Sequence, residues 1–123
     1  MIEKDLKNEI AASVVPVLLG DGWQGSRLAF RLYCTLGTVS LHLGAHHRLS
    51  DLTGIFSVFR SAATDDRLLT EQLLDIFEEF DGYLLLLVPT DKPSREFIVR
   101  HCDTLSSRFV LSEPSEVFAH IPS

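Results

Sequence analysis

Very little in this chain is sulfur, and what there is argues against a stapled fold. Of 123 residues only Cys34 and Cys102 are cysteines. Two thiols fit a reducing compartment better than a disulfide framework, so a cytoplasmic setting is expected. Positive charge is also scarce. Eleven Lys and Arg stand against seventeen Asp and Glu, a formal charge of −6. That balance disfavours a nucleic-acid backbone or an anionic membrane surface as partner. No apolar run approaches the ~20 residues of a membrane-spanning helix. The apolar stretch 10–19 is preceded by Glu3, Lys4, Asp5, Lys7 and Glu9, a flank that is not net basic, so a signal peptide is not expected.

What remains is ordinary globular composition, 46% apolar and 23% charged, and a length that suits one domain. The organising stretch opens with the apolar run Val14 to Leu19, breaks at Gly20-Asp21-Gly22 and passes Gly25. It then enters a segment where Leu28, Leu32 and Leu36 recur at helical spacing. This pattern predicts a buried strand over 14–19, a glycine loop and a helix over 26–36. Gly37 follows as the helix stop. A leader over 1–13 precedes it. Ile2, Leu6 and Ile10 would give it an apolar stripe if it is helical.

A second strand is expected over 39–43, where Val39, Leu41 and Leu43 alternate with Ser40 and His42. A loop is expected over 44–52 and a third strand over 55–60. A helix is predicted over 67–80, with Leu69, Leu73, Ile76, Phe77 and Phe80 inward and Asp65 or Asp66 at its start. The unbroken run Tyr83-Leu-Leu-Leu-Leu-Val88 reads as a strand covered on both faces, the mark of a parallel sheet interior. Pro89-Thr90-Asp91 ends it. Pro93 opens a helix expected to run to about Ser106, with Phe97, Ile98, Cys102 and Leu105 inward. A short strand over 109–111 and a last helix after Pro114 complete the chain.

Strands alternating with helices imply right-handed crossovers, hence an α/β, three-layer sandwich whose mostly parallel sheet has about five strands. Residues 14–123 make one such domain. Ligands in these folds sit outside the carboxyl ends of the strands. The turn after Leu19 and the turn after Val88 are therefore the two expected rims of one crevice. Gly20, Asp21, Gly22, Trp23, Gln24, Thr90 and Asp91 are the candidate substrate-binding residues. Backbone N–H groups of the glycine turn and a helix N-terminus favour an anion. The turn could present N–H groups to a carboxylate or phosphate, but Asp21 would oppose an anion unless it faces an N–H or an ammonium, and an amino acid, which carries both charges, would suit the pair.

Several sharper chemistries find too little support. Gly20, Gly22 and Gly25 have the G-x-G-x-x-G spacing of a dinucleotide site, but Leu43-Gly44-Ala45 stands where an acid should hold the ribose. His42, His46 and His47 have only Asp51 near them in sequence, short of a zinc set. His101 and Cys102 are neighbours on a predicted helix and point apart. No residue is assigned a catalytic role, and no metal ligand is assigned.

The segments PVLLGDGWQGSRLAFRLYCTLGTVSLHL and YLLLLVPTDKPSREFIVRHCDTLSSRFVLSEPSE together resemble the N-terminal, Rossmann-like domain that precedes the ATP-grasp module in carboxylate–amine ligases. Gly20-Asp21, Arg27, Gly37 and the strand over 39–43 occupy that family's places. Gly-Asp-Gly stands where Gly-Gly-Asp is usual, and Lys92 stands where an acid is. The resemblance implies a substrate-side domain of an ATP-grasp-type ligase that helps bind a small carboxylate or amino acid and does not catalyse alone. It implies an ATP-grasp domain, in cis or in trans, as partner. No cofactor is implied in this chain, and ATP and Mg only if that module supplies their site. The alternatives are a stand-alone Rossmann-like interaction protein without a ligand site, for which a homodimer is compatible, and a small nucleotide-binding protein.

Overall fold

The computed structural model describes residues 14–46 and 55–120. Five strands, β1 (Val14–Leu19), β2 (Ser40–Gly44), β3 (Ser57–Ser61), β4 (Leu84–Pro89) and β5 (Val110–Leu111), form one sheet in the order β3-β2-β1-β4-β5. Every pairing is parallel. The α/β, three-layer, Rossmann-like architecture expected from the alternation is therefore the one observed.

Alternation along each strand sorts side chains to two cores. Val17, Leu19, Leu41, Leu43, Leu85 and Leu87 face one layer. That layer holds α2 (Asp66–Glu79), α3 (Lys92–Arg100) and the single turn α4 (Cys102–Leu105). Leu18 and Val88 face the other, where α1 (Trp23–Leu36) contributes Leu28, Ala29 and Leu32, and α5 (Pro114–His120) contributes Val117. Each such leucine, fully buried, is worth about 1.5–3 kcal/mol relative to exposure.

Several boundaries differ from the sequence expectation. The first helix begins at Trp23, three residues before Ser26, with Gly22 at its N-cap position and no side-chain cap. Trp23 is thus the first helical residue rather than a loop residue. The second strand slides by one, and its polar positions do not face water: Ser40 is 1% and His42 0% exposed. The third strand starts at Ser57, leaving Ile55 exposed, while Phe56 stacks edge-on against Phe30 and Tyr33. Tyr83 and Leu84, at the start of the YLLLLV run, are about half exposed. Both-face cover therefore holds only for its later residues.

The helix expected to reach Ser106 breaks at His101, whose φ of −117° and ψ of 22° leave the helical region. The break rotates the next turn, so Cys102 is exposed instead of inward, while Leu105 stays buried. The His101 side chain is drawn to Asp66, its Nε2 2.9 Å from Oδ2. This cross-helix contact competes with continuing the helix. Cys34 and Cys102 are both free thiols. The leader over 1–13, the stretch 47–54 with His47 and Asp51, and Ile121 lie outside the described residues. No helix among the described residues is long and apolar enough to cross a membrane.

Candidate functional site

The strand order reverses between β1 and β4. Both strands leave the sheet at the same rim, the switch-point geometry at which ligands of open α/β sheets sit. Register fixes this: Leu18 pairs with Val88 and Leu19 with Pro89. The Gly20-Asp21-Gly22 and Thr90-Asp91 turns therefore begin side by side.

They are also bonded to each other. The Asp21 N–H donates to Asp91 Oδ2 at 2.9 Å, and the Gly22 N–H donates to Thr90 Oγ1 at 3.2 Å. The Thr90 N–H and hydroxyl both donate to the Leu19 carbonyl, at 2.8 and 3.1 Å. Asp91 uses its other oxygen to cap α3, accepting from the Ser94 N–H at 3.0 Å. Its placement at the helix start is the one the sequence suggests, with Pro93 in the first turn.

Asp21 reaches the opposite way, toward the end of β2. Its Oδ1 accepts from the Ala45 and His46 N–H groups at 3.1 and 3.0 Å. His42, buried beneath, donates from Nε2 to the Gly20 carbonyl at 2.8 Å and lies 3.9 Å from Asp21 Oδ1. Three strand ends are thus tied by two carboxylates, one hydroxyl and one imidazole.

Glycine is required where the turns touch. Gly20 has φ of 110°, a left-handed conformation that side chains disfavour. A Cβ on Gly22 would fall inside the Thr90 carbonyl group. In a dinucleotide site the second glycine leaves room for the pyrophosphate. Here that room is filled by Thr90, and the Asp21 and Gly22 N–H groups are engaged within the chain.

The open side of this rim is a cavity of about 400 Å³ between α2 and α3, within the ~300–1,000 Å³ usual for small-molecule sites. Asp21, Asp91, Thr64, Ser94, Asp66 and Arg100 supply its polar lining, and Leu19, Leu43, Leu69 and Phe97 lie among the apolar groups beneath. Asp66 and Arg100 form a forked ion pair, Nε to Oδ2 at 3.0 Å and Nη2 to Oδ1 at 3.3 Å. The Arg100 guanidinium first, and His101 second, hold the Asp66 carboxyl below the usual carboxylate range. Asp66 in turn raises Arg100.

Of the sequence-derived candidates, Gly20, Asp21, Gly22, Thr90 and Asp91 come together at this rim. Gly20, Asp21 and Asp91 line the cavity. Trp23 and Gln24 follow on the exposed first turn of α1 and are not among its lining residues. Sequence reasoning weighed His42 only as a zinc ligand and Asp66 only as a helix start, and it passed over Arg100. A histidine between Leu41 and Leu43 was the available signal for the first. The other two are 34 residues apart and carried none. Among the described residues no group of three or more His, Cys, Asp or Glu is placed to hold a metal ion. Comparison with protein-family models, curated proteins and solved structures finds no match.

Proposed function

We propose that this chain is the substrate-side domain of an ATP-grasp-type carboxylate–amine ligase. It binds a small carboxylate or, better suited to the charges, an amino acid, and leaves ATP chemistry to a module in cis or on another chain. The observation that carries the reading is the meeting of the Asp21 and Asp91 turns on one rim of a mixed-charge crevice. A carboxylate has about four acceptor positions, and Asp21 uses three of them on the Ala45 and His46 N–H groups. An ammonium group approaching the rim therefore finds two acids already held in place. Arg100 gives two of its five N–H donors to Asp66. Its remaining donors can take a carboxylate within the same crevice, which Arg100 and Asp91 both line.

The chain supports the binding half of such a reaction only. Among the described residues the crevice lining includes no cysteine or histidine. The glycine spacing favours a nucleotide as second reading, but Thr90 occupies the place a pyrophosphate would take.

Isothermal calorimetry of the wild-type chain against amino acids, small carboxylates, ATP and NAD tests the reading. The expected result is heat from an amino acid that Asp21→Asn weakens by about tenfold, the loss of one charge-assisted contact to its ammonium. ATP or NAD raising the melting temperature by several degrees, through preferential binding to the folded state, would instead establish the nucleotide reading. An amino-acid affinity unchanged in Asp21→Asn would remove Asp21 from the site.

A further inference from the structure

The outer face of α1 differs from the rest of the surface. Trp23, Arg27, Phe30, Arg31 and Cys34 recur at steps of three and four and so share one stripe, opposite the buried Leu28, Ala29 and Leu32. Trp23 is 70% and Phe30 50% exposed. The helix, WQGSRLAFRLYCTL, contains no acidic residue.

Four cations elsewhere are neutralised, while Arg67 and Arg108 make no ion pair among the described residues. Arg60 pairs with Glu79, Arg95 with Glu113, Arg100 with Asp66, and Lys92 with Glu96. Among the described residues no ion pair involves Arg27 or Arg31. Both instead lie over the Phe118 ring of α5, with their guanidinium carbons 5.3 and 5.9 Å from its centroid. Two like charges one turn apart repel each other, and among the described residues the ring face is their one internal support. The result is a cationic, aromatic patch on a protein whose net charge is −6.

We infer that the α1 outer face, with Phe118, is a docking surface for a protein partner that presents carboxylates beside apolar side chains. Trp and Arg are the residues that most often dominate interface energetics, and the arginine fork matches a carboxylate. Charge decides against other polyanions. A nucleic acid or an anionic membrane would also meet the field of the whole acidic chain, including Glu71, Asp75 and Glu78 on the outer side of α2. A second copy could offer those same acids. However, α1 and α2 cover opposite faces of the sheet, so that contact would be head-to-tail and would not close a dimer. The inference does not depend on what fills the crevice.

Trp23 is the only tryptophan, so its emission reports on the patch. The chain is titrated with a synthetic amphipathic Glu/Leu peptide, a Lys/Leu peptide of equal length, a single-stranded oligonucleotide and phosphatidylserine vesicles. A saturable blue shift is expected with the Glu/Leu peptide alone. It should weaken by about tenfold or more in Arg27→Glu/Arg31→Glu, as loss of a complementary charge pair predicts. It should also weaken in the wild type at about 0.5 M salt, where exposed charges are screened. Circular dichroism checks the variant's fold. Should it not fold, Arg27→Gln/Arg31→Gln and the wild-type salt series decide. No shift with the Glu/Leu peptide, or an equal shift with the Lys/Leu peptide, overturns the inference. So does tighter binding of oligonucleotide or vesicles, or a shift in the protein alone that rises with concentration alongside a dimer mass in ultracentrifugation.

Discussion

Replacing Gly22 with alanine isolates the contact between the β1–α1 and β4–α3 turns. Gly22 has φ of −68° and ψ of 142°, which alanine adopts freely, so backbone strain contributes nothing. The unfolded chain loses some freedom, a stabilising effect of about 0.4–1 kcal/mol. Against this, the new methyl would fall inside the Thr90 carbonyl group, and a main-chain carbonyl on a paired strand end cannot swing aside as a side chain can. Overpacking of this kind costs about 1–3 kcal/mol. Separating the turns also stretches the Gly22–Thr90 and Asp21–Asp91 bonds, at about 1 kcal/mol each. The net expectation is roughly 2–4 kcal/mol of destabilisation, or a melting temperature lower by about 6–15 °C for a domain of this size. Gly37→Ala is the internal comparison. Its φ is 69° and nothing lies within 4 Å of the added Cβ, so it costs only the left-handed conformation, about 1 kcal/mol. Urea unfolding of both variants measures the difference. If Gly22→Ala lies within about 0.5 kcal/mol of wild type, or costs less than Gly37→Ala, the two turns are not in the close contact described and the crevice loses its rim.

Other substitutions probe the same construction. Asp91→Ala removes the α3 cap and the acceptor of the Asp21 N–H together. It should cost about 2 kcal/mol in denaturant titration, whereas Asp91→Asn should keep most of the cap, so equal losses would refute the capping role. His42→Phe keeps an aromatic ring, somewhat larger, but removes the Nε2 donor to the Gly20 carbonyl. A cost of about 1–3 kcal/mol is expected, and a neutral effect would show that the imidazole does not hold the turn. Asp66 titrates below its unfolded value because of Arg100 and then His101. Its contribution to stability is therefore complete above the unfolded midpoint, about pH 4, and is lost as pH falls through the lower folded one. The Asp66 carboxyl followed by NMR should show that low midpoint, and Arg100→Gln should raise it; an unmoved midpoint would exclude the pair as its cause.

The parts of this structure legible in the sequence were those written in short-range patterns. The run Val14 to Leu19 and the run Leu84 to Val88 have no alternation, and both became interior parallel strands. The glycine turn and Pro89-Thr90-Asp91 ended those strands, so their arrival at one rim followed from parallel pairing alone. What was not legible depended on partners distant in sequence. Alternation at 39–43 marked Ser40 and His42 as polar positions without showing what covers them. In the fold both faces of the second strand are covered, every residue of Ser40–Gly44 being buried, and His42 is satisfied by a carbonyl 22 residues away. Periodicity continued the third long helix through His101, because the pattern cannot register the pull of Asp66 from 35 residues upstream. Cys102 was misplaced by that rotation.

The same distinction bears on the charge sense of the rim. Read locally, Gly20-Asp21-Gly22 before a helix offers N–H donors and calls for an anion. In three dimensions the chain supplies its own acceptors: Asp91 takes the Asp21 N–H and Thr90 takes the Gly22 N–H. Those carboxylate and hydroxyl oxygens then stand where an external anion would have bound. Displacing Asp91 to admit a phosphate would cost both the cap of α3 and the tie between the turns. A ligand that brings donors meets no such penalty, because it adds to acceptors that are already oriented. The rim thus favours an ammonium or amide donor over a phosphate, and it does so through bonds made between residues 70 positions apart.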